Sequence, residues 1–176
     1  MTALAIFFCF AIAQADDELV TRLASDDAAS ASAAYDSLAE RGVDAFPALA
    51  ARLDDETEAN YEVFRNPTVM TKTRRGWAIY KPNVGDVAFL LIQRQIEGTW
   101  PGAFKDHHAI TQSNAKDWIT KHKGLTLKQL RILAVTESLS SVARELAKDS
   151  SSDLNTKCLA YLTERLTKLQ EAKDKR

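Results

Sequence analysis

Between Asn83 and Gly98 the chain reads Asn-Val-Gly-Asp-Val-Ala-Phe-Leu-Leu-Ile-Gln-Arg-Gln-Ile-Glu-Gly, its most apolar stretch outside the N-terminus. Val84, Val87, Ala88, Leu91 and Gln95 recur at helical spacing, and Phe89, Leu90, Ile92 and Ile96 widen the stripe over most of the cylinder. A helix apolar nearly all round has to lie inside a core, so this segment predicts a central helix. Asn83 is placed to cap its start, and Gly98 stands where a left-handed residue would stop it. Arg94, Gln95 and Glu97 crowd its last turn, and Trp100-Pro101 follows at once.

A core of that kind is within reach of this chain. Its 176 residues are 45% apolar and 27% charged, ordinary globular values for one domain or one domain with a short appendage. The net charge of −1 gives no global pull toward nucleic acid or a membrane surface, and no nucleic-acid partner is expected. The charge is nevertheless uneven. Residues 16–62 carry 13 acids and 3 bases, and residues 63–176 carry 11 acids and 20 bases. Such a split lets the two halves attract each other, or it presents faces of opposite sign to partners.

Residues 1–15 contain no charged side chain and end in Ala13-Gln14-Ala15, a small-x-small pattern followed by Asp16-Asp17-Glu18. An apolar run of this length is too short to span a bilayer and is expected to be a signal peptide, cleaved after Ala15, with no transmembrane anchor left behind. Periplasmic or secreted placement follows as an expectation. Cys9 lies inside the apolar run, so after cleavage Cys158 is the one cysteine left and no internal disulfide can form.

The mature start is helical and self-similar. Leu19, Arg22 and Leu23 return thirty positions later as Leu49, Arg52 and Leu53, each set followed by paired aspartates, Asp26-Asp27 and Asp54-Asp55. Between them lies an alanine-rich helix with Ala31, Ala34, Tyr35 and Leu38 on one face. Gly42 ends it, Asp44 is placed to cap the next helix, and Pro47 falls in that helix's first turn. Over residues 18–55 this pattern resembles bacterial HEAT-like helical repeats: paired helices, a glycine at the corner and small residues for close packing. The resemblance implies a binding surface or scaffold. The repeat stops after Asp55, so it must lean on the rest of the chain.

Residues 56–83 are expected to be irregular. Arg65, Lys72, Arg74, Arg75 and Lys81 stand there among Tyr61, Phe64, Trp77 and Tyr80, with breaks at Pro67 and Pro82. After the central helix, Thr99–Ile110 forms a second loop with Trp100, His107 and His108. Thr111 or Ser113 is expected to cap a short helix through Trp118. Thr126 and Gln129 match a capping box that opens a long helix to about Lys148. A serine-rich break at 150–152 precedes a last helix with Leu154, Cys158, Tyr161, Leu162, Leu166 and Leu169 on one stripe. No segment shows sustained two-residue alternation. The expected fold is all-α with seven or eight helices in one domain over residues 16–176: a HEAT-like pair (16–55), the basic-aromatic segment (56–83) and a helical bundle (84–176).

Catalytic signatures are sparse. There is no nucleophile elbow, no phosphate loop and no repeated metal-ligand spacing, so neither a metal nor a cofactor is expected. Adjacent His107 and His108 read as solvated loop residues, and Cys158 as a buried, inert thiol. The recognition candidates are Arg65, Lys72, Arg74, Arg75, Trp77 and Tyr80 in the first loop. Arg94, Gln95, Glu97, Trp100, His107 and His108 lie in and after the last turn of the central helix. Arginines beside flat aromatics suit anionic ligands, acidic protein faces or single-stranded nucleic acid, and the expected export argues against the last. The expected function is a non-catalytic partner-binding or scaffolding module of the cell envelope. The alternatives are an immunity- or inhibitor-type protein that blocks a secreted enzyme, and a hydrolase-like enzyme using His107 or His108 with Glu97 or Asp106.

Overall fold

The computed structural model describes residues 15–65, 70–73 and 76–172. The signal segment expected at the N-terminus falls, up to Gln14, outside them. The fold is helical, with eight α-helices and one two-stranded ribbon among the described residues. They are α1 (15–22), α2 (Ala28–Arg41), α3 (Phe46–Ala51), α4 (Tyr61–Phe64), α5 (Val84–Ile96), α6 (Ala115–Lys121), α7 (Leu127–Lys148) and α8 (Asp153–Glu171). No described helix is long and apolar enough to cross a membrane. The chain divides into two compact units, Met1–Ile92 and Gln93–Arg176, and α5 begins in the first and ends in the second.

In the first unit three of the four repeated leucines, Leu23, Leu49 and Leu53, are buried with Val20, Ala31, Ala34, Leu38 and Phe46, and Leu19 is half-buried. Asp27 caps α2 by accepting from the backbone of Ala29 and Ser30, each at 3.2 Å. Gly42 closes α2, and Pro47 sits in the first turn of α3 as expected. Asp44 does not cap α3. It lies within a 3₁₀ turn, Gly42–Ala45, which runs straight into α3 and needs no side-chain cap. Arg52 ties the end of α3 to α1, donating to Asp17 (3.0 Å) and Thr21 (3.3 Å) as well as to Asp55 (3.1 Å). Buried Asp16 pairs with Arg41 at 2.6 Å, and burial raises its carboxyl pKa against the opposing pull of that guanidinium.

The segment expected to be irregular contains one regular feature besides α4. Strands β1 (Met70–Thr73) and β2 (Gly76–Ile79) pair antiparallel, with Met70 opposite Ile79 and Thr73 opposite Gly76. Arg74 and Arg75, between them, lie outside the described residues. Four residues per strand are too few to show an alternation above the surrounding noise.

α5 starts as anticipated. Asn83 Oδ1 accepts from Asp86 N at 2.7 Å, and Asp86 Oδ2 accepts from Asn83 N at 2.9 Å, a reciprocal cap. Val84, Val87, Ala88, Leu91, Ile92 and Ile96 are buried, while Phe89 and Leu90 are half-buried. Gly85 is needed for close approach: an ideal Cβ there would lie 2.3 Å from Leu53 O.

The Asp86 carboxylate also accepts from the Tyr80 hydroxyl. Burial, and then that carboxylate, push the Tyr80 pKa up to about 12. A folded pKa raised above the unfolded value of about 10 adds stability that is complete below pH 10 and is lost as pH climbs through about 12. An ultraviolet difference titration should therefore show a tyrosinate step near pH 12 that disappears in Tyr80→Phe. A titration unaltered by Tyr80→Phe would contradict the contact.

In the second unit α7 and α8, joined by a four-residue connection, form a helical hairpin. Trp100, Phe104, Val135, Val142, Cys158 and Leu162 make its buried core, with Leu139, Leu146, Leu159, Tyr161, Leu166 and Leu169 packed against them. The capping box at Thr126 and Gln129 is present, and Ser152 caps α8. α6 has Asn114 at its N-cap position with no side-chain cap; Thr111 and Ser113, expected there, hydrogen-bond each other at 3.0 Å. Leu154, expected on the inward stripe, is instead 45% exposed. Cys158 is fully buried, and burial raises its thiol pKa, which leaves it a poor nucleophile.

Candidate functional site

The residues after α5 are organised by one carboxylate. Gly98, at φ +67°, ends the helix and turns the chain back across it. The turn leaves Glu97 pointing inward with a side chain that is 0% exposed. A carboxylate taken out of water needs donors for both oxygens. Oε1 accepts from Ala109 N (2.8 Å) and Ile110 N (3.3 Å), and Oε2 meets His108 Nδ1 at 2.6 Å.

Neighbouring bonds secure the same loop. Trp100 Nε1 donates to Glu97 O at 2.8 Å, and Gln93 Nε2 donates to Ile110 O at 3.0 Å. Asn114 Nδ2 donates to Ala109 O at 2.9 Å. The Trp100 ring stacks on the His108 imidazole with centroids 4.2 Å apart and planes 28° from parallel. Trp100 also meets Tyr161 edge-on, and the Tyr161 hydroxyl donates to Thr99 O at 3.3 Å.

Chemically, a carboxylate has only lone pairs to offer, so in a carboxylate–imidazole contact the donor is Nδ1–H. A ring held at Nδ1 by a carboxylate turns Nε2 away from it, the arrangement that orients the histidine of hydrolase triads and of many metal shells. The imidazole is 15% exposed. His107 turns the other way, with Nε2 3.1 Å from Asn155 Oδ1 on α8, and Asp106 is exposed. The two histidines therefore diverge, and neither is the freely solvated loop residue that adjacency implied. Among the described residues no three or more His, Cys, Asp or Glu side chains are grouped to hold a metal ion.

The candidates from the central helix and the loop after it thus separate. Glu97, Trp100 and His108 form a buried node, His107 braces α8, and Gln95 is half-buried. Arg94 is exposed. Of the first-loop candidates, Arg65 is exposed, with its guanidinium 6.0 Å from the Tyr61 ring centre. Tyr80 is tied to Asp86. Lys72 and Trp77 stand opposite each other in the β1–β2 register.

Two participants escape a sequence reading. Arg131, on α7, donates through Nε to Gln95 O at 2.8 Å, and Arg165, on α8, donates through Nη1 to the Tyr161 hydroxyl at 3.3 Å. The available signal was weak: each arginine adjoins an apolar stripe residue, Leu130 or Leu166, instead of facing solvent across the helix. No family model, curated protein or solved structure matches this chain.

Proposed function

We propose that this chain is an exported, non-catalytic helical protein that binds an acidic protein partner through residues 64–82. The observation that carries the reading is the β1–β2 ribbon, a two-stranded sheet that no further strand joins among the described residues. Unpaired outer edges are where another chain adds by backbone hydrogen bonding. Residues 63–85 contain five basic residues, Arg65, Lys72, Arg74, Arg75 and Lys81, and no acid. Such charge opposes edge-to-edge pairing between copies and favours an acidic strand or surface. The uncharged N-terminal run supports export. α1, α2 and α3, with Gly42 at the corner, support a HEAT-like scaffold.

The test is capture from the envelope or secreted fraction by the mature chain and by Arg74→Glu/Arg75→Glu. Partner capture should be lost in the double variant with Tm nearly unchanged. Retained capture would overturn the reading, and a large fall in Tm would assign the two arginines to stability.

A hydrolase-like reading draws support from the Glu97–His108 contact. The packing weighs against it, since both carboxylate oxygens are committed to the loop and Trp100 covers one face of the imidazole.

A further inference from the structure

At the end of α5, two buried side-chain donors have no hydrogen-bond partner. Arg165 lies against Gly98 so closely that a Cβ at that position would sit 2.8 Å from Nη2. Its Nε is shielded from water and has no hydrogen-bond partner, and the same holds for Gln95 Nε2. Arg131 reaches the same helix end through Gln95 O. Among the described residues neither guanidinium has a carboxylate within ion-pair distance. Burial, and then the charge of Arg165, lower the pKa of Arg131, as expected for two cations held near each other away from water. The carbonyls at a helix C-terminus supply about half a negative charge, which offsets only part of two guanidiniums.

Half-buried like charges with unfilled donors are costly unless an anion completes them. We infer that Arg131, Arg165 and Gln95 form a binding site for a dianionic tetrahedral oxyanion, the phosphate group, either free or at the end of a monoester. Two forked cations from different helices match a dianion in charge, and the Gln95 amide adds a neutral N–H that discriminates little between anions. Gly98 is what admits the Arg165 guanidinium to the helix end, since any side chain there would displace it. The site lies wholly in the second unit and does not depend on the ribbon.

The experiment is calorimetric titration of the full mature chain, with inorganic phosphate in one arm and glycerol 3-phosphate in the other, at constant ionic strength. Saturable binding is expected, weakened about 10-fold or more by either Arg131→Gln or Arg165→Gln. Without phosphate these variants should melt no lower than the parent, because each relieves a repulsion. Should they fail to fold, Arg131→Lys and Arg165→Lys keep the charge while losing the fork, and each should still bind more weakly than the parent. Tighter binding of the monoester assigns the site to a terminal phosphate, and tighter binding of inorganic phosphate assigns it to the free ion. A response that merely follows ionic strength, or affinity unchanged in the variants, overturns the site.

Discussion

Leu91→Ala is expected to destabilise the protein by about 2–5 kcal/mol, read as a fall in the urea midpoint with an unchanged slope. Leu91 is 2% exposed on the covered face of α5, between Ala88 and Ile92, which are 0% exposed. Removing its side chain discards the transfer free energy of the buried carbons, and the close-packed surroundings can only partly collapse into the space. Leu90→Ala is the internal control. Leu90 is half-buried, so it should cost distinctly less. Equal losses would mean that α5 is covered on all sides, and a near-zero loss for Leu91→Ala would remove α5 from the core.

Glu97→Ala should cost about as much, roughly 3–5 kcal/mol, for a different reason. The loss is not of packing but of acceptors. The N–H groups of Ala109 and Ile110 and the Nδ1–H of His108 would be left without their partner. Glu97→Gln keeps an amide oxygen for the two backbone donors, and its NH₂ can face Nδ1 once the imidazole changes tautomer. It should cost less, about 1–2 kcal/mol. Urea unfolding followed by tryptophan fluorescence suits both variants, because Trp100 stacks on His108. A Glu97→Ala protein as stable as the parent would show that the carboxylate does not hold the loop. The pair would then be free for the hydrolase-like reading.

The features readable along the chain were those closed within one helical turn. The Asn83–Asp86 cap, the Thr126–Gln129 capping box and the left-handed stop at Gly98 each involve groups no more than four residues apart. Residue type and spacing specify such bonds almost completely. The apolar stripe of α5 was legible for a related reason, since helical periodicity is itself local. Asp44 and Thr111 show where the same logic fails. Both are competent caps, but the preceding backbone had already turned, as a 3₁₀ segment before α3 and as a hydrogen-bonded turn before α6.

The candidate site was legible only as a list of residues. Glu97, Trp100 and His108 stand out by type and neighbourhood, but nothing in their order says which of two adjacent histidines meets the carboxylate. That choice is made by the turn at Gly98 and by the burial that obliges Glu97 to collect donors. Arg131 was not legible, because it meets Gln95 at a sequence separation of 36. Nor was the need for glycine at position 85, which comes from the Leu53 carbonyl beside it. The amino-acid order alone therefore determined where helices begin, end and turn their apolar faces, because those preferences are set by neighbours in the chain. Tertiary structure decided which polar groups are removed from water together, and hence which carboxylate found a histidine and which two arginines were left without one.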